Sequence, residues 1–322
     1  MERTSTIIRR SIHIFLKNYQ YFTSTATALV LPVSVAILLS QAVMPSMSPF
    51  MATIYARLES LFGAAGFPSS SEFFSLLNIK ISQTIFSSIF TLPFTLSFLL
   101  FAKANIIQSL SHLNTPTFSS VLPIFNNILC THLCNSFIIV SANASAFFLF
   151  FLAFNSLDSF GLSSNNFVLF LSAVGAVLYS VILANTLITC NLALVVAGME
   201  NCGGFLAILK ACVLIRGRAA IALSLALPVN FGFAALEALY QFRVVTAYRL
   251  SNNLTPSVAF EGLLVAYLYA VLILVDTITT CIFYKSCKSS SLIDECTYYK
   301  IELADEEDNG TLTNSKILHE LP

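Results

Sequence analysis

The stretch that decides the fold is GLLVAYLYAVLILVDTITTCIFY, Gly262 to Tyr284, in which Asp276 is the only ionisable carboxylate and neither Lys nor Arg occurs. An apolar run of this length matches the ~20 residues that carry an α-helix across ~30 Å of hydrocarbon. Five further stretches read the same way: Tyr21 to Met44, Ile81 to Ala102, His132 to Phe154, Phe167 to Val196 and Ala219 to Leu239. None contains Lys or Arg, and the fourth is long enough to tilt, kink or emerge near Leu187. Continuous apolar runs argue against a barrel, whose shorter strands alternate strictly between in and out.

The composition agrees with that reading. Of 322 residues, 57% are hydrophobic and 10% charged, and the mean hydropathy is +0.81. A soluble globule could not cover itself with so few charges, and a disordered chain would be less apolar. Sixteen basic residues balance sixteen acidic ones, so no whole-chain basic face exists for nucleic acid. The fold expected is all-α: a bundle of about six transmembrane helices (21–284), preceded by an interfacial helix (1–20) and followed by an acidic tail (285–322). The lipid bilayer is its first partner.

Pro32, Pro93 and Pro228 fall inside three spans, as tolerated kinks or as hinges. Ser40-Gln41-Ala42 loosely fits a signal-peptide cleavage site, but the apolar run before it is too long, which favours an uncleaved first span. With both termini in the cytosol, twelve of the sixteen basic residues, Lys103 among them, lie in cytosolic segments and four in outer loops. The positive-inside rule selects that orientation, in the endoplasmic reticulum and secretory pathway or the plasma membrane. All eight cysteines then avoid the outer loops, so structural disulfides are not expected.

At ~100° per residue, Ile8, Ile12, Phe15, Leu16 and Tyr19 share one face of the N-terminal helix, opposite Arg10, His13 and Lys17. The helix either lies in the headgroup layer or packs on the bundle. In the outer loop, Met51, Ile54, Tyr55, Leu58, Leu61 and Phe62 are near helical spacing, for a surface helix or a cap on the bundle. Phe205 to Ile215 reads as a short helix, apolar nearly all round, that packs on the bundle. The tail after Lys285 holds half of all the acids. Such tails are disordered as a rule, and this one is either a solvated end or a docking segment for protein partners.

No paired-histidine, phosphate-loop or nucleophile-elbow motif is present, so the chain offers no argument for an enzyme and none for a cofactor. Cys130-Thr131-His132-Leu133-Cys134 lacks a second ligand pair, which favours buried thiols over a metal. Asp276 is the deep intramembrane acid, ~12 Å inside Tyr284 at ~1.5 Å per residue. An ionised carboxylate there costs ~2.5–3.5 kcal/mol on insertion scales, so it should face polar neighbours inside the bundle. Asn185, Asn191, Thr186 and Thr189 on the fourth span and Asn230 on the fifth are the candidate donors. The site is then a proton or cation site, or interhelical glue; a lone acid without a basic partner makes a poor relay. Cys287, between Lys285 and Lys288, is a juxtamembrane thiol, palmitoylated or unmodified. Of the sequons at Asn143, Asn253 and Asn309, only Asn253-Leu254-Thr255 would face the lumen and carry sugar.

Glu200, Gly204, Ala207, Lys210, Leu214-Ile215 and Arg216-Gly217-Arg218, together with Phe283-Tyr284 and Cys287-Lys288-Ser289, resemble an uncharacterised family of plant multi-spanning membrane proteins. Tail length and Cys212 depart from its pattern. Some members are named as poly(A)-binding-protein-binding proteins, but no residue here supports RNA contact and no site residue is carried over. The helix and basic turn are also loosely similar to bacterial membrane domains attached to glycerophosphodiester phosphodiesterases, which concerns the membrane part alone. The function expected is that of a non-enzymatic organiser or adaptor in the secretory pathway. A small-solute or proton-coupled carrier using Asp276 is the alternative, and a lipid-handling protein the third reading. No internal repeat between the halves supports the carrier.

Overall fold

The computed structural model describes residues 4–43, 48–64, 72–111, 118–159, 165–251 and 256–319. All regular structure among them is helical, and six helices are long and apolar enough to cross a membrane: Tyr19–Ser40, Ser75–Ser111, Val121–Ala153, Ala173–Glu200, Ala219–Tyr248 and Pro256–Ser289. The chain is thus an integral membrane protein with an all-α bundle.

The sixth span is the axis. Ala270, Leu274, Ile278 and Cys281 are fully buried at helical spacing, and the first, second, fourth and fifth spans pack around this stripe. Between helices in lipid there is no water to exclude, so close van der Waals contact decides packing and small residues let backbones approach. The fourth span shows this most clearly, with seven consecutive buried residues, 192–198, ending in Ala197 and Gly198. A Cβ on Gly198 would lie 2.8 Å from Ile107 Cγ2. Only hydrogen fits there.

Two of the three prolines sit beside a π-helical turn. Pro32 follows Ala26–Val30 and Pro93 precedes Thr95–Leu99, and these two turns lie against each other. A proline supplies no N–H and collides with the carbonyl four residues back; for Pro32 that is Ala28 O, inside the wider turn, which relieves the clash, whereas for Pro93 it is Ile89 O, which lies before the turn at Thr95–Leu99. The third π turn, Gln241–Val245, has no proline next to it.

The N-terminal helix is Thr4–Lys17. It packs on the fifth and sixth spans, but through Ile7 and Ser11 rather than the face expected from the apolar pattern. Ser11 donates its hydroxyl to Ile7 O at 2.9 Å, so it needs no water and, being small, admits close approach. Ile14 and Phe15 flank this contact, while Ile12 and Leu16 face outward. One flank of the helix thus packs on the bundle, and the apolar residues Ile12 and Leu16 are exposed on the other. Ser48–Ala64 packs on the second span, where Asn78 Nδ2 donates to Tyr55 O at 3.5 Å. Phe62 also meets Phe147 of the third span.

Two boundaries differ from the sequence reading. The second helix long and apolar enough to span runs on to Ser111, so Lys103 lies within that helix rather than in a connection that follows it. The last helix continues to His319, through the segment read as a disordered tail. Between Pro256 and His319 no proline interrupts it, and extending an existing helix avoids the cost of nucleating a new one.

Candidate functional site

Two polar centres stand out in an apolar bundle. The first is a charged brace at the end that carries the N-terminal helix. Glu200 ends the fourth span, and Asn201, with φ +50°, turns the chain away. Gly204 follows at φ +70°, a left-handed conformation that suits glycine. Its N–H donates to Thr131 Oγ1 of the third span at 3.0 Å, and Cys130 Sγ and Cys134 Sγ stand 3.5 and 3.8 Å from where a Cβ would be. This turn launches the short helix Phe205–Ile215, whose Ala207, Ile208 and Ala211 bury against the bundle as expected.

Lys210 on that helix reaches back to Glu200 Oε2 at 2.7 Å. From the sixth span, Tyr284 donates its hydroxyl to Glu200 Oε1 at 2.6 Å and Lys288 its ammonium to the same oxygen at 2.9 Å. Lys288 also donates to the Tyr284 oxygen at 3.1 Å. One carboxylate, its side chain 20% exposed, thus ties three helices together with charge-assisted bonds. The bond to Glu200 raises the Lys210 pKa above that of an ordinary lysine. Nearby, Arg218 donates to Cys287 O at 3.1 Å and Lys285 to Leu110 O at 2.6 Å, which fastens the fifth and second spans to the same level of the sixth.

The second centre is Asp276. It lines a cavity of about 40 Å³ between the fourth, fifth and sixth spans, with Asn191, Thr279 and Thr280. That is room for water, given several polar groups to hold it. Thr280 Oγ1 donates to Asp276 O at 2.9 Å. Asn191 is the one predicted asparagine that shares the cavity. Asn185 donates to its own helix at Val181 O and faces a separate groove of about 370 Å³. Asn230 donates to Ala226 O. Thr186 and Thr189 likewise bond Ile182 O and Asn185 O.

Asp276 also lies within electrostatic range of one basic residue, Lys103 of the second span. Lys103 is seven residues from Leu110, and Asp276 is nine from Lys285, whose ammonium bonds Leu110 O. Both therefore lie ~10–14 Å inside that level at ~1.5 Å per residue, and each feels the other's charge. His132 lies within range of the same lysine.

Cys287 is 2% exposed, so its thiol is covered rather than offered to an acyltransferase. Asn253 lies outside the described residues. Among the described residues no three His, Cys, Asp or Glu side chains converge on a common point. Sequence reasoning did not place Glu200, Lys210, Tyr284 and Lys288 in a site. Their signal was the cluster of motif residues behind the family resemblance, which meets in space at the brace.

The family model described as "Domain of unknown function (DUF8558)" matches residues 3–302. The chain belongs to that family, and both polar centres lie within the matched region. No curated protein and no solved structure matches it.

Proposed function

We propose that this DUF8558 protein is a non-enzymatic organiser or adaptor of a secretory-pathway or plasma membrane, with both termini in the cytosol. The observation that carries the reading is the brace: Glu200 is bonded inward to Lys210, Tyr284 and Lys288, as a clamp would be. The clamp lies at the root of the helix that continues into the acidic segment, the part of the chain suited to meet protein partners. The basic excess at the brace end supports the orientation, and the resemblance to plant multi-spanning proteins without catalytic motifs points the same way.

Proximity labelling from an enzyme fused after Pro322 tests this. A defined set of neighbours that Glu200→Gln disperses, while the protein still reaches its membrane, is the expected result. An unchanged set in Glu200→Gln would remove the brace from the argument, and labelling of lumenal proteins would reverse the orientation.

A second reading, a proton-coupled or small-solute carrier, is supported by the cavity at Asp276, with Lys103 within electrostatic range of it. Asp276→Asn in reconstituted vesicles decides that reading. A carrier loses pH-driven flux, whereas structural glue keeps its stability and has no flux to lose.

A further inference from the structure

We propose that the short helix Phe205–Ile215 is an in-plane membrane helix, its outward face covered by acyl chains of the leaflet at the brace end. On the orientation given above this is the cytosolic leaflet, but the inference does not depend on that assignment.

The first argument is the face itself. Phe205, Leu206, Leu209 and Val213 are 62, 53, 63 and 71% exposed, and at ~100° per residue they fill one continuous arc opposite Ala207, Ile208 and Ala211. That arc carries no charged or hydrogen-bonding side chain. A helix packed on a protein and bathed in water keeps its outward face polar, because an uninterrupted apolar patch invites association. Eleven residues reach only ~16 Å, too short to cross the hydrocarbon, so a lipid-covered helix of this length lies along the leaflet.

The second argument is that the chain stays on the bundle after Glu200. Gly204 N bonds Thr131 of the third span at 3.0 Å, and Ala207, Ile208 and Ala211 bury against the spans, the fourth above all. Lys210 bonds Glu200, and Arg218, just past the end of the helix, bonds Cys287 O, so the helix lies along the level of the brace and not in a loop that extends away from it. The third span, which the short helix touches, turns Leu133 and Phe137 outward as lipid-facing residues do.

The third argument is Lys210. It stands at the edge of the apolar arc, and its ammonium meets Glu200 at 2.7 Å. A lysine that lays its stem along an apolar surface and lifts its charge to the headgroup level behaves in this way. Arg216, exposed at the end of the helix, adds a second cation suited to phosphate oxygens.

The sequence contains no tryptophan, so one introduced indole is the only one in the molecule. The full chain carrying Leu209→Trp, in phosphatidylcholine vesicles with a minority of phosphatidylserine, is expected to emit in the blue. It should lose most of its intensity to lipids brominated near the headgroup end of the acyl chain, and little to iodide. Phe205→Trp, an aromatic exchange, repeats the measurement if Leu209→Trp fails to fold. Phe137→Trp gives the reference for a spanning residue, quenched by bromines further down the chain. Red emission with strong iodide quenching would overturn the proposal in favour of a water-exposed face. Blue emission that neither quencher reaches would overturn it in favour of a covering protein surface, such as a second copy of the chain.

Discussion

The fourth span is two helices in one. From Leu192 to Gly198 every residue is buried, and the short helix and the second, third, fifth and sixth spans close around it. From Ala173 to Thr189 only Gly175 is buried, where Phe150 Cε1 would stand 2.7 Å from a Cβ, and the helix leans chiefly on the third span. A groove of about 370 Å³ opens there against Leu223 of the fifth span. The apolar residues look alike in sequence, yet one half is protein interior and the other is wall. Apolar character marks what lipid tolerates; the close approach is made at Ala193, Ala197 and Gly198, whereas Ala173 and Ala176 in the other half stay exposed.

Matched substitutions should break this comparison first. Gly198→Leu drives a side chain into Ile107 and Ile128 and should cost about 3 kcal/mol. Ala176→Leu fills an open groove and should stay within about 0.5 kcal/mol. Thermal unfolding in one detergent checks both, and equal losses would mean that the two halves are packed alike.

Next comes the brace. Glu200→Ala removes the acceptor of three bonds and leaves two lysines facing each other, with an expected loss of about 2 kcal/mol. Limited proteolysis should then open the connection at Arg216-Gly217-Arg218 before any site in the third or fifth span. In the exposed half, Tyr179 donates to Asn143 Oδ1 at 2.7 Å, bridging the fourth and third spans. Tyr179→Phe should cost about 0.6 kcal/mol, the ordinary worth of an interhelical bond in lipid, and should leave the brace end untouched in hydrogen exchange.

The smallest effect is a pH dependence. Because the Lys210 pKa is raised in the folded protein, its bond to Glu200 contributes fully below the unfolded lysine value and fades as pH rises through the folded one. The unfolding midpoint should be flat with respect to this group at neutral pH and drop slightly in strong alkali. Lys210→Met should lower the neutral midpoint and remove that part of the alkaline drop.

The six spans were legible because insertion in lipid depends on composition summed over ~20 residues, which any window recovers. Their ends were not. The second helix passes Lys103 because a single lysine does not stop a helix, and its electrostatic link to Asp276 joins residues 173 positions apart. The depth of Asp276 could be counted along one helix, whereas its neighbours depended on how three helices rotate about their axes. Asn185 and Asn191 show the cost: they are six residues apart on the same helix, yet they line different spaces. The N-terminal helix taught the same lesson through Ser11, a polar residue that satisfies itself locally and so can occupy the inner face. The brace was visible only as a scatter of motif residues, since nothing in residues 200, 210, 284 and 288 taken singly says that they meet.

The last helix runs from Pro256 to His319 without a break, 64 residues and ~95 Å of rod. Thirty of those residues extend beyond the sixth span and form a lever arm whose fulcrum is the Tyr284–Lys288 grip on Glu200. A sideways pull at its far tip is carried inward as torque on that grip, and from there to the short helix hinged at Gly204.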